Sequence, residues 1–123
     1  MDLIPKYWID FLEANHLHGI HIEIPDDNDL SEIGATFKLM NEQNCMEEMQ
    51  SFYPGILVKH KGYIPIGSCS NGSGDPYFIN SNDGPNGKLY RIYHDEVIDQ
   101  NYNSDSAITI VLTKYEDILK FKV

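Results

Sequence analysis

Between residues 63 and 112 the chain is a series of short apolar runs whose early connections are too short to cross a sheet. Tyr63–Ser68, Pro76–Asn80 and Lys88–His94 read as strands, and the turns between them are dense in Gly, Asn, Ser and Asp. A parallel pair needs a crossover of about a dozen residues or more, generally helical. No such crossover fits here, so the block is constrained to pair antiparallel. Its aromatics, Tyr63, Tyr77, Phe78, Tyr90 and Tyr93, suit a pleated, half-buried surface.

The remaining elements fit around this block. Pro5 to Asn15 is expected to be a helix, with Ile4, Trp8, Phe11 and Leu12 on one face and Pro5 in the first turn. Gly19 to Pro25 reads as a strand with Ile20, Ile22 and Ile24 on one side. Asp26-Asp27-Asn28-Asp29 is a loop, and Leu30 to Ala35 leaves a helical turn and a strand approach both open. Thr36 to Met40 reads as strand. Asn41 can cap a second helix reaching about Phe52, ended by Pro54-Gly55. Ile56–His60 with Tyr63–Ser68 around Lys61-Gly62 suggests a hairpin. Ala107–Leu112 is the last strand. Thr113 with Glu116 forms a capping-box pattern for a helix to about Phe121. The expected fold is α+β: one domain over 1–123, with a twisted, mainly antiparallel sheet and about three helices packed on it.

Composition bounds the function. The 123 residues are 41% hydrophobic, enough for one real core. The longest aliphatic or Thr-interrupted run, Ala107–Leu112, is far below the ~20 residues of a membrane span, so no membrane partner is expected. The N-terminus lacks a basic n-region and does not read as a secretory signal. Cys45 and Cys69 then read as cytosolic thiols, which gives an expected cytoplasmic location. Charge is lopsided: residues 1–50 hold eleven acids against two bases, and residues 51–123 hold eight against seven, for a net charge of −10. That field repels phosphate backbones, so direct nucleic-acid binding is not expected, and it favours basic protein partners.

Each candidate chemical motif lacks a necessary companion. His16, His18 and His21 have no adjacent further ligand except the acidic loop, and read as polar surface residues rather than a metal site. Gly67–Gly74 has the glycine spacing of a phosphate loop without its Lys-Ser/Thr, and Asp75 follows. Residues 80–87 lack the ligand spacing of a calcium loop and read as a turn, with Asp83-Gly84 and Asn86-Gly87 supplying positive-φ positions. Cys69, His94 and Asp95 do not make a readable triad, and Asp75 with Asp95 or Glu96 reads as turn chemistry rather than an acid/base pair. Arg91, the sole arginine, reads as a structural ion pair if it points inward among the acids at 75 and 95. No catalytic, metal or cofactor-binding residues are assigned, and no cofactor is expected.

YPGILV at 53–58, GYIPIGSCSNGSGDPYFI at 62–79 and GKLYRIYHDEV at 87–97 together resemble the SUKH superfamily, which includes the Smi/Knr-type cell-wall assembly regulators. The Thr113–Leu119 segment resembles the closing helix, and the N-terminal half matches in layout alone. The resemblance implies an α+β binding protein rather than an enzyme. For a short chain it implies an immunity protein that neutralises a polymorphic toxin, such as a nuclease. The expected partner is therefore a basic toxin domain. The expected contact residues are the acids of 23–32 and 42–48, in particular Glu23, Asp26, Asp27, Asp29, Glu47 and Glu48, with Tyr77, Tyr90 and Tyr93 as anchors. The alternatives are an intracellular regulatory scaffold of the Smi/Knr type and a small-ligand domain using the turns at 67–75 and 80–87. The latter needs a deep pocket holding Asp75, Arg91 and His94.

Overall fold

The computed structural model describes residues 4–51, 55–69, 76–93 and 107–123. Helix α1 spans Lys6–Ala14, with Pro5 as its N-cap residue. Trp8 and Leu12, one turn apart, are buried, each worth about 1.5–3 kcal/mol of transfer free energy. The exposed Lys6–Asp10 pair on the opposite side contributes little beside that. Asn15 ends the helix by donating its side-chain amide to the Phe11 carbonyl at 2.9 Å. His16 and Gly19 then take positive φ and turn the chain into the sheet.

The strands are β1 (His21–Ile24), β2 (Ala35–Leu39), β3 (Tyr63–Cys69), β4 (Tyr77–Asn80), β5 (Leu89–Ile92) and β6 (Ile108–Leu112). They pair in chain order, and every pair is antiparallel. The α+β fold expected from the short connections is the one found. Ile22, Ile24, Ala35, Phe37, Leu39, Ile64, Ile66, Tyr77, Ile79, Leu89 and Val111 form one core face, joined by Trp8 and Leu12 of α1. Val58, Phe78, Ile92 and Ala107 form a smaller cluster, with Tyr63 and Tyr90 packed against it. The alternation of Tyr77, Phe78 and Ile79 between the two clusters is the period-two signature of a sheet covered on both faces.

Helix α2 spans Glu42–Ser51 and buries Cys45 and Met49. Asn41 caps it by accepting the Asn44 amide at 2.8 Å. The Cys45 thiol donates to the Pro65 carbonyl at 2.8 Å. Pro65 sits where the β3–β4 register shifts before Gly67, a position where a residue without an amide proton is tolerated. Gly67 has its own reason: a Cβ there would lie 2.5 Å from Phe37 Cδ2.

Two local expectations are corrected. Residues 56–60 are not a strand: Gly55–Val58 is a short helix, α3, followed by a 3-10 turn at Lys59–Lys61. Gly62 closes that turn at φ +91 as its C-cap, so the Lys61-Gly62 signal marks a helix end rather than a hairpin. The last segment is also 3-10, Tyr115–Phe121, with Lys114 at the N-cap and no side-chain cap bond; the Thr113–Glu116 capping box does not form. In the turn at Ser81–Asn86, Gly84 takes the expected positive φ, whereas Gly87 lies at φ −76.

The sheet curls. The Leu30 amide, just past β1, donates to Val111 on β6 at 2.9 Å. Beyond Phe121 the chain returns to the far edge, where Lys122 bridges Ile22 and Val123 bonds to His21. No described helix is long and apolar enough to cross a membrane.

Candidate functional site

The loop between β1 and β2 is held by a buried arginine. Arg91 lies in β5 and is only 1% exposed. Its Nη1 donates to Ser31 Oγ at 2.9 Å, and its Nη2 donates to the Gly34 carbonyl at 2.5 Å and to the Tyr77 hydroxyl at 2.6 Å. Asp29 Oδ2 is 3.8 Å from Nη2. Asp29 Oδ1 accepts both the Ser31 amide at 2.7 Å and the Ser31 hydroxyl at 2.6 Å. Arg91, Ser31 and Asp29 thus form a short chain of hydrogen bonds that ties the loop to β5. Burial opposes the Arg91 charge, but the Tyr77 bond and the Asp29 carboxylate outweigh it, so the guanidinium pKa is raised. Burial likewise pushes the Tyr77 hydroxyl up. Both groups stay in their ordinary protonation states at neutral pH.

The clamp sets the loop's outer face. Asp26–Asn28 is a 3-10 turn whose side chains are exposed. Glu32 takes φ +68, a conformation that costs a non-glycine residue about 1–2 kcal/mol and persists because the bonds on either side fix it. Leu30 and Ile33 project outward, 57% and 61% exposed. Asp26, Asp27, Asp29, Leu30 and Glu32 line an open hollow of about 360 Å³. A second hollow of about 220 Å³ lies on the other side of Leu30, lined by Asn28, Leu112, Thr113, Asp117, Lys120 and Phe121.

The expected contact residues divide sharply. Asp26 and Asp27 are exposed on this loop, Glu23 is exposed on β1, and Glu47 is exposed on α2, where it accepts from Gln43. Glu48 is half-buried, and desolvation raises its carboxyl pKa. Asp29 and Tyr77 are corrected: they are 3% and 0% exposed, one held in the clamp and the other stacked on Phe37 at 4.4 Å, so neither presents a face to a partner. Tyr90 is half-buried, with its hydroxyl donated to Asp83 at 2.6 Å and its ring edge-on to Tyr63. Tyr93 is half-buried beside the clamp. Sequence reasoning missed Leu30, Ser31, Ile33 and Gly34. The only signal available was the interleaving of apolar and acidic residues in Asp29-Leu30-Ser31-Glu32-Ile33, which suits neither a buried element nor a plain polar loop.

His16, His18 and His21 are all exposed. Among the described residues, no three His, Cys, Asp or Glu side chains are grouped to hold a metal. Asp75, His94, Asp95, Glu96 and the glycine-rich stretch from 70 to 75 lie outside the described residues, as do the carboxylates expected around Arg91. Among the described residues, the guanidinium pairs with Asp29. Burial pushes the Cys45 thiol up to about 12, which removes it as a nucleophile at neutral pH. No family model, curated protein or solved structure matches the chain.

Proposed function

We propose that this protein is a non-catalytic binding protein of the immunity type, acting in the cytoplasm by masking a basic toxin domain. The observation that carries the reading is the β1–β2 loop. It presents Leu30 and Ile33, 57% and 61% exposed, among the exposed carboxylates of Asp26, Asp27 and Glu32. Apolar anchors within a charged rim are the usual anatomy of a protein interface. The negative charge concentrated in residues 1–50 would steer a basic partner toward it. The loop's fixed shape lowers the ordering cost of binding. The SUKH resemblance of residues 53–97 supplies the immunity role.

Co-expression with a toxin domain encoded next to this chain tests the reading. The expected result is a copurifying complex and survival of the host cell. A pair that neither binds nor protects overturns it.

A further inference from the structure

Resting on that reading, we propose that the second hollow, between Leu30 and the end of β6, receives a large apolar side chain carried on a basic segment of the partner protein. The hollow is built on three apolar side chains, Leu30, Leu112 and Phe121, with Thr113, Asp117 and Lys120 completing its lining. The Lys120 ammonium lies 3.6 Å from the Asp117 carboxylate, so these two leave the hollow without net charge of its own. Leu112 is 6% exposed and belongs to the core, whereas Leu30 is 57% exposed. Leu30 is held outward on a fixed backbone. Its amide donates to the Val111 carbonyl at 2.9 Å, and the next residue, Ser31, is bonded to Arg91. A side chain that cannot withdraw keeps its apolar surface in water until something covers it. An anchor seated between Leu30 and Phe121 would cover both and lose its own water on several sides, the setting in which a few residues carry most of a binding energy.

Size and charge select the occupant. At about 220 Å³ the hollow exceeds the ~30 Å³ share of a water about sevenfold and falls short of the ~300 Å³ at which small-molecule pockets begin. It therefore suits one side chain of a docking surface rather than a free ligand. A second copy of this chain is disfavoured, because it carries the same net charge of −10. Its approach would bring like charges toward the exposed Asp26, Asp27 and Glu32 of the adjoining loop. The anionic surface of a membrane meets the same repulsion. A partner with Lys or Arg next to its apolar anchor gains from those carboxylates instead. Leu30 lines both hollows, which sets the order of the contacts: the apolar side chain on the β6 side, the basic one on the loop side. The acids decide the sign of the partner, and the apolar walls decide where it docks.

The probes are three capped tripeptides, Lys-Phe-Lys, Lys-Ala-Lys and Glu-Phe-Glu, titrated at low salt into the full chain and followed by backbone amide shifts. The expected result is saturable shifts at Leu30, Leu112 and Thr113 with Lys-Phe-Lys, and binding at least about fivefold weaker for each of the other two. Leu30→Ala, which trims an exposed wall, should weaken Lys-Phe-Lys about three- to tenfold. Thr113→Trp, which places a bulky ring at an exposed position of the lining, should weaken it at least as much. Val123→Ala removes an exposed apolar side chain at the β1 edge and should leave binding unaltered. Equal binding of Lys-Phe-Lys and Lys-Ala-Lys overturns the proposal as charge attraction without a pocket. Equal binding of Lys-Phe-Lys and Glu-Phe-Glu overturns the basic partner. The two readings separate cleanly. A toxin complex that tolerates Leu30→Ala and Thr113→Trp together without loss overturns the hollow's role and leaves the immunity role standing. Selective Lys-Phe-Lys binding without any toxin complex supports the hollow and overturns the immunity role.

Discussion

Removing the Arg91 side chain would strand Asp29, which is fully buried on its side chain and has a further oxygen already unpartnered. Arg91→Leu is therefore expected to destabilise the fold by about 3–5 kcal/mol, the range for breaking a buried pair from one side. Arg91→Leu combined with Asp29→Asn should recover part of that loss, because no buried charge remains. Urea denaturation of the single and double variants measures both. A single-variant loss below about 1 kcal/mol would place the pair outside the stabilising core. A second residue-scale expectation concerns Glu48, whose carboxyl pKa is raised by desolvation. A raised folded-state value means the protonated form is favoured by folding. The contribution is fully present below the ordinary 4.5 and is lost as pH rises through the raised value. Glu48→Gln should then gain stability over wild type at pH 7, by a few tenths of a kcal/mol for a half-exposed group, and the gain should shrink toward zero near pH 4. An equal gain at both pH values would mean that the cause is packing rather than ionisation.

Helix and turn boundaries carry the contrast between pattern and tertiary control. The Thr113–Glu116 pattern has the residues of a capping box, but the structure places Lys114 at the N-cap of a 3-10 segment. Tyr115 and Ile118 are drawn into the core there, and the Tyr115 amide is taken by the Gly87 carbonyl at 2.8 Å. Thr113→Ala should consequently change stability by no more than about 0.5 kcal/mol, whereas Asn41→Ala, which removes a formed cap, should cost about 0.5–2 kcal/mol. Thermal melts of the two variants make the comparison, and a larger loss at Thr113 than at Asn41 would contradict the structure. The strand at Gly19–Pro25 was legible because the alternation of Ile20, Ile22 and Ile24 is a local property. Residues 56–60 were not legible: a short apolar run has no period long enough to separate strand from helix, and Gly62 serves a hairpin or a C-cap equally well. The clamp was half-legible. Arg91 was readable as a structural ion pair, but its partner Asp29 lies on a loop sixty-two positions away, a proximity only the curl of the sheet creates.

At the scale of the whole molecule, the question is whether the β1–β2 loop moves as a loop or as part of the core. Leu30 is one of the most exposed large hydrophobics, yet its amide is bonded across the curl to Val111 on β6, and the residues around it are held by Arg91 on β5. Freeing that amide requires breaking the cross-sheet bond together with the clamp, so local opening is expensive and exchange must approach the rate set by global unfolding. The Asn44 amide offers the contrast. It is also bonded and exposed, but its acceptor is the Asn41 side chain in the first turn of α2, where fraying needs no tertiary contact to break. Hydrogen exchange should therefore show Leu30 protected at least a hundredfold more than Asn44, a difference in opening free energy of about 2.8 kcal/mol or more. Arg91→Lys keeps the positive charge but loses the three-way fork, and it should erase most of that gap while the amides of β3 and β4 stay protected. If Leu30 exchanges as fast as Asn44 in the wild-type chain, the loop opens independently of the sheet. Its docking shape would then have to be acquired on binding, at an ordering cost that a pre-set loop avoids.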